Sequence, residues 1–459
     1  MQDTSYIERF IEKDFHDWKD NWADSRTLLV KGCRQVGKTT SIRHFAAENY
    51  KYVIYVDVRS ETDLSILESA SESNVVERLT AFCEAHSEMH AFINSPDTVL
   101  ILDEVQESKA IYERIRTFNR SLNCHVIFTG SNLKLAQDYF QPAGDCISMT
   151  MYPLSFEEYI NYFGGYEYYQ KNSISTICKE KYQWFQDLYS VYLRVGGYPE
   201  IFKSYVNGKQ LDMQFEVLLD SIKSELRTRT AEICDFDKID TMFYTICEVL
   251  CREKKGNARI VEVTSKLTEQ AASKRISTKE CNNILSWLQS ANIINFCDKK
   301  DLATGELYSS ERFYFEDLGL FCYLCRKYQI DASAVLGIAA ETFVFKQLYE
   351  MHFIARFYGD RPTFAVKNQY ELDFIVTSKI DRQTYGIEVK AGNNTAISLS
   401  LKKMLQTKDI DFAILAKGDA KVGEKEKIYT LPIFLVSKFT FDKGKAVKED
   451  EPKRMDFFK

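Results

Sequence analysis

TLLVKGCRQVGKTTSIRHFAAEN, residues 27–49, decides the fold. Its first residues form a short apolar run that reads as a strand closing at Gly32, and residues 39–49 read as a helix. Between them, residues 32–39 follow the pattern G-x-x-x-x-G-K-[ST], in the strand-then-helix context that the pattern requires. Gly32 and Gly37 let the backbone wrap closely, so that successive N–H groups point at one anion. The start of the helix adds its positive end. The stretch predicts a loop holding the phosphates of ATP. Cys33, Arg34, Gln35 and Val36 supply backbone between the glycines, and Thr40 follows in the first helical turn. Lys38 neutralises the β- and γ-phosphates, and the Thr39 hydroxyl ligates Mg²⁺.

Working outward, YVIYVDV (52–58), TVLILDE (98–104) and HVIFTGS (125–131) are further apolar, β-branched runs separated by helical stretches. Runs of that kind predict a parallel sheet covered on both faces. LILDE ends in two acids about 60 residues beyond the loop, as the second element of such a nucleotide site does. Asp103 is expected to hold the Mg²⁺ shell and Glu104 to polarise the attacking water. The third run ends in Thr129-Gly130-Ser131-Asn132, at the edge where an open α/β sheet binds its ligand. Asn132 or Ser131 is the candidate water-positioning residue there. CISMTMYPLSF (146–156) reads as one more strand, and residues 1–25 as a helix anchored by Phe10, Phe15, Trp18 and Trp22.

The rest of the 459 residues changes character twice. Residues 161–250 are helical and aromatic, broken at GGYPE (196–200), whose glycines and proline read as a tight helix break. Residues 251–330 read as helix, helix and hairpin, the order of a winged helix-turn-helix. Its second helix opens on a capping box, Ser277 and Glu280, with Lys274, Arg275 and Lys279 placed for phosphate contacts. Residues 331–459 read as a separate α/β unit. There Glu341 lies on a helix, Asp373 in the strand ELDFIV, and Glu388 and Lys390 on one face of the strand IEVKAG. Converging carboxylates are hard oxygen ligands suited to Mg²⁺ or Mn²⁺, although acid and lysine on a strand edge also occur as a plain solvated pair.

Composition excludes several classes. A net charge of -6 argues against a chain given over wholly to coating nucleic acid. No apolar run approaches the roughly 20 residues of a membrane span. The polar N-terminus is unlike a signal peptide. The 12 cysteines lack framework spacing, which fits a reducing cytoplasm. Cys322 and Cys325 form a CxxC that needs a second pair to make a zinc site. His86 and His90 read as part of a solvated helix face.

The loop, LILDE, FTGSN, MYPLSFEEY and GGYPE, in that order, resemble the AAA+-type ATPases of bacteria and archaea that carry a C-terminal domain of unknown function. The resemblance implies that GGYPE is a structural joint rather than a ligand site. It also implies a P-loop core over 1–160, a helical lid over 161–250, a winged helix over 251–330 and a nuclease-like domain over 331–459. That last domain is similar to the PD-(D/E)xK nucleases, which implies that Glu341, Asp373, Glu388 and Lys390 are its acidic helix residue, metal carboxylates and lysine. DNA and a second copy of the chain are the partners it implies. The expected function is a nucleotide-driven switch coupled to DNA. An ATP-gated DNA endonuclease and a non-enzymatic protein scaffold are the alternatives. The chain departs from the family at Gly144-Asp145, where a Gly-Arg pair is usual. Arg114, Arg116 and Arg120 are the nearby arginines that would have to substitute.

Overall fold

The computed structural model describes residues 6–86, 89–131, 144–229, 236–252, 259–269, 276–354, 361–392 and 398–444. Two compact units interleave along the chain. One comprises Met1–Tyr166, Val195–Cys234 and Asn282–Ile294; the other comprises Glu167–Arg194, Asp235–Cys281 and Asn295–Lys459. Among the described residues no helix is long and apolar enough to cross a membrane.

The first unit is built on strands β1 (Thr27–Lys31), β2 (Tyr52–Asp57), β3 (Thr98–Asp103), β4 (His125–Gly130) and β5 (Cys146–Thr150), in the order β2-β3-β4-β1-β5. Every pairing is parallel. This is an α/β fold with the parallel sheet typical of a P-loop NTPase. β3 and β4 are buried at every position, as strands covered on both faces must be. The loop after β1 and the acids ending β3 flank β4, so both open on one crevice at the strands' carboxyl ends.

The N-terminal helix is Ile11–Asn21, and of its expected anchors Phe15 and Trp18 are buried while Trp22 is exposed beneath Arg26. β5 stops at Thr150, short of the proline. His86 is buried, not solvated, and its Nε2 lies 2.8 Å from Glu61.

The chain returns to this unit at Val195 for a physical reason. Gly197 and Leu154 pair through backbone, Leu154 N–H donating to the Gly197 carbonyl at 2.7 Å. A Cβ on Gly197 would sit 2.4 Å from the Leu154 carbonyl oxygen, so only glycine permits that approach. The Tyr159 hydroxyl adds a hydrogen bond to the Gly196 carbonyl. GGYPE and MYPLSFEEY are therefore two sides of one joint.

The second unit holds an eight-stranded mixed sheet. Its strands are β6 (Ile294–Asp301), β7 (Leu307–Phe315), β8 (Thr363–Lys367), β9 (Tyr370–Thr377), β10 (Thr384–Lys390), β11 (Phe412–Lys417), β12 (Gly423–Lys425) and β13 (Ile428–Pro432). Their order is β12-β13-β11-β10-β9-β8-β6-β7. β9 and β10 pair antiparallel, as ELDFIV and IEVKAG suggest. The hairpin strands β6 and β7 do not stand apart: β6 pairs with β8, parallel, from Lys299↔Phe364 onward. The Ser277–Glu280 capping box is present, both reciprocal bonds being made.

Cys322 and Cys325 do meet a second pair, Cys247 and Cys251 on the helix Phe236–Cys251, and Cys325 hydrogen-bonds with both. Burial pushes the Cys322 thiol up to about 12. Cys322 and Cys325 are therefore protonated packing groups, not nucleophiles. Among the described residues no three or more His, Cys, Asp or Glu are arranged to hold a metal ion.

Candidate nucleotide site

The phosphate loop lies between β1 and the helix Lys38–Asn49. Gly32 and Gly37 have φ of 153° and 95°, where a side chain is strained. A Cβ on Gly32 would also lie 2.1 Å from the Met151 carbonyl oxygen. Gln35, with φ of 64°, completes the turn. Lys38 is buried, and its ammonium donates to the Gly32 and Cys33 carbonyls at 3.0 and 2.9 Å. Burial pulls its pKa below the ordinary value against the opposing charges of Glu104, Cys33 and Asp103. A desolvated ammonium whose hydrogen bonds go to two neutral carbonyls gains from a phosphate.

The two acids that end LILDE, Asp103 and Glu104, meet the loop in the crevice. Thr39 Oγ1 donates to Asp103 Oδ2 at 2.6 Å, and the Glu104 N–H donates to Asp103 Oδ1 at 2.9 Å. Thr39 and Asp103 are hard oxygen donors side by side at the phosphate loop, the chemistry that Mg²⁺ takes. Glu104 adopts φ 55° and ψ 42°, a left-handed conformation uncommon for a side-chain-bearing residue. Its carboxylate accepts from Gln106 Nε2 and, at 3.4 Å, from Ser131 Oγ. Of the two water-positioning candidates, Ser131 thus meets Glu104, and Asn132 lies outside the described residues. Gln106 carries no sequence signal, because a lone glutamine after two acids reads as a loop residue.

The far wall was not foreseen. Tyr6, Ile7 and Arg9 line the same cleft as Gly37–Ser41, Pro199, Glu200 and Lys203. GGYPE is thus a joint that also lines the cleft. Arg9 is buried and tied three ways: Nε to Glu158 at 2.9 Å, Nη1 to the Val36 carbonyl at 2.8 Å, and Nη2 to the Tyr152 carbonyl at 2.7 Å.

The three substitute arginines do not face the phosphates. Arg116 and Arg120 pair with Asp145 at 2.9 and 3.0 Å, at the start of β5 and so at the opposite edge of the parallel sheet from the loop. Arg114 is spent on the Ala70 and Ala110 carbonyls.

Residues 24–160 match the model of an AAA domain. Residues 186–334 match a domain of unknown function, DUF8612. No curated protein matches the chain. Among solved structures, a Walker-type ATPase of Pyrococcus abyssi is 16% identical, with a TM-score of 0.42 over 70% of this chain and 96% of that one. The ORC2 protein of Aeropyrum pernix is 11% identical, with a TM-score of 0.37 over 71% and 96%. The RuvB Holliday junction branch migration motor of Thermotoga maritima is 14% identical, with a TM-score of 0.29 over 63% and 90%.

In the second unit, each C-terminal site residue is otherwise engaged. The Val389 N–H donates to Asp373 Oδ2 at 2.7 Å, Lys390 pairs with Glu388 at 2.8 Å, and Tyr314 donates to Glu341 at 2.5 Å. The carboxylates are still close enough to feel one another. Burial, then the charges of Glu388 and Glu341, push Asp373 well above the usual carboxylate range.

Proposed function

We propose that this chain is an ATP-binding protein and a slow Mg²⁺-dependent ATPase, serving as a nucleotide-driven switch coupled to DNA. The carrying observation is the Thr39–Asp103 hydrogen bond of 2.6 Å, which joins the phosphate loop to the acidic strand end inside a region matching an AAA domain. The loop amides and Lys38 bind the phosphates. Asp103 and Thr39 would hold Mg²⁺, which when bound offsets charge on the phosphate oxygens. Glu104, steadied by Gln106 and Ser131, orients the attacking water and takes its proton. None of Arg114, Arg116 and Arg120 faces the loop to substitute for the arginine missing at Asp145, which supports slow turnover, since an absent arginine finger costs roughly 10³–10⁵ in rate.

Support for DNA is the order of elements: helices Arg259–Thr268 and Thr278–Ser290, then β6 and β7, with Lys279 in the first turn of the second helix. Lys274 and Arg275 lie outside the described residues. The test is ATP binding by calorimetry and phosphate release, with and without duplex DNA, in wild type and Lys38→Ala. Binding is expected to vanish in the variant. DNA is expected to change the wild-type rate, with an effect that fades as salt rises. Binding indifferent to Lys38 sinks the ATPase reading, and a rate indifferent to DNA at low salt favours the scaffold.

A metal-dependent nuclease is the second reading, favoured by the mutual charge of Asp373, Glu388 and Glu341 and by Glu388 Oε2, which is buried without a partner among the described residues. Mn²⁺ is expected to raise the thermal midpoint of wild type but not of Asp373→Asn, because only the charged cluster gains from a cation. No stabilisation, together with uncut plasmid DNA in Mg²⁺ and Mn²⁺, removes this reading.

A further inference from the structure

Asp103 carries one donor more than the nucleotide site accounts for. Besides Thr39 Oγ1, its Oδ2 accepts the Tyr55 hydroxyl at 2.9 Å. Tyr55 lies opposite Ile101 in the β2–β3 register, so Asp103 is two residues further along the neighbouring strand. Residues so spaced share a face, and an aromatic side chain spans that diagonal. The Tyr55 ring is itself held. The Arg43 guanidinium lies 4.9 Å from its centroid. Arg43 and Thr39 are one turn apart on the helix Lys38–Asn49 and therefore on the same face. Thr39, Asp103, Tyr55 and Arg43 form a clasp between that helix and two strand ends.

We infer that Tyr55 is a positioning residue that fixes the Asp103 carboxylate for Mg²⁺, with Arg43 holding the tyrosine ring in place. The inference rests on the reading of Asp103 as the Mg²⁺-side carboxylate. A carboxylate torsion is broad and roughly two-fold, so its lone pairs need external partners to be aimed. The Glu104 N–H fixes Oδ1. Thr39 must share its hydroxyl oxygen with the ion, which leaves Tyr55 as the donor with no other task. Such outer partners matter: removing one typically costs 10–100-fold in metal affinity.

The test is calorimetric titration of Mg²⁺ into full-length protein saturated with a non-hydrolysable ATP analogue, for wild type, Tyr55→Phe, Arg43→Ala and Asp103→Asn. Tyr55→Phe is expected to weaken Mg²⁺ by about 10-fold, and Arg43→Ala to weaken it less. The Mg²⁺ needed for half-maximal phosphate release should rise in step, with kcat at saturating Mg²⁺ near wild type. Affinity for the analogue in EDTA should not change in Tyr55→Phe, which separates aiming of the carboxylate from damage to the fold. Unchanged Mg²⁺ affinity in Tyr55→Phe, or a parallel fall of Mg²⁺-free binding, overturns the inference. Unchanged Mg²⁺ affinity in Asp103→Asn overturns instead the reading on which it rests.

Discussion

Replacing Glu104 with glutamine is expected to slow phosphate release by about 10²–10⁴-fold while leaving ATP affinity near wild type. The substitution keeps the shape of the side chain and removes its ability to accept a proton. The structure supplies the reasons to expect a clean kinetic effect. Glu104 is held in a left-handed conformation, at a cost of roughly 1–3 kcal/mol, by its N–H on Asp103 and by Gln106 and Ser131 on its carboxylate. Glutamine retains the backbone bond to Asp103 and can still meet Ser131, so the crevice is not expected to reorganise. The phosphate contacts of Lys38 and the loop amides are made elsewhere and remain. Single-turnover phosphate release, beside equilibrium binding of the same nucleotide, separates the two steps. Equal rates in the two proteins would remove Glu104 from the chemistry. A parallel loss of binding would mean that its role is structural.

The parts of this site that the sequence displays are those fixed by local geometry. The loop between Gly32 and Thr39 needs glycine at defined offsets, and TVLILDE needs an unbroken buried strand before its acids, so both are written in consecutive residues. The wall made by Tyr6, Ile7 and Arg9 is not, because a short segment ahead of a helix has no periodicity to reveal what it packs on. Tyr55 was hidden for another reason. Within YVIYVDV a tyrosine reads as one more strand former, and its hydroxyl gains meaning only from the β2–β3 register. The same limit applies in the second unit. LATGELYSS between two strands indicates a hairpin, but nothing local shows that β6 pairs with β8, more than sixty residues later in the register Lys299↔Phe364. Periodicity places Glu388 and Lys390 on one face. It does not disclose that Tyr314, Val389 and Lys390 occupy the carboxylates that a metal would need.

Arg9→Ala is expected to cost about 3–5 kcal/mol, the penalty for stranding one partner of a buried ion pair. Arg9 and Glu158 are each about 5% exposed, so the abandoned carboxylate has little water to turn to. Glu158 keeps the Phe10 and Ser155 N–H groups, but these are neutral donors and leave its charge unmatched. The thermal midpoint of the first unit should fall by roughly 10 °C. A second change distinguishes the two tasks of Arg9. Arg9→Met combined with Glu158→Leu removes both charges and fills similar volume, and such replacements are often neutral or stabilising. Stability is therefore expected to recover in part in the double variant, short of wild type because the Phe10 and Ser155 N–H groups lose their Glu158 acceptor. ATP affinity is not, because the Val36 carbonyl in the phosphate loop still lacks the donor that Arg9 placed 2.8 Å away. Calorimetric unfolding and nucleotide titration on the same samples provide the comparison. If affinity returns together with stability, Arg9 serves the fold alone. If stability recovers and affinity stays low, the N-terminal segment braces the loop that holds the phosphates.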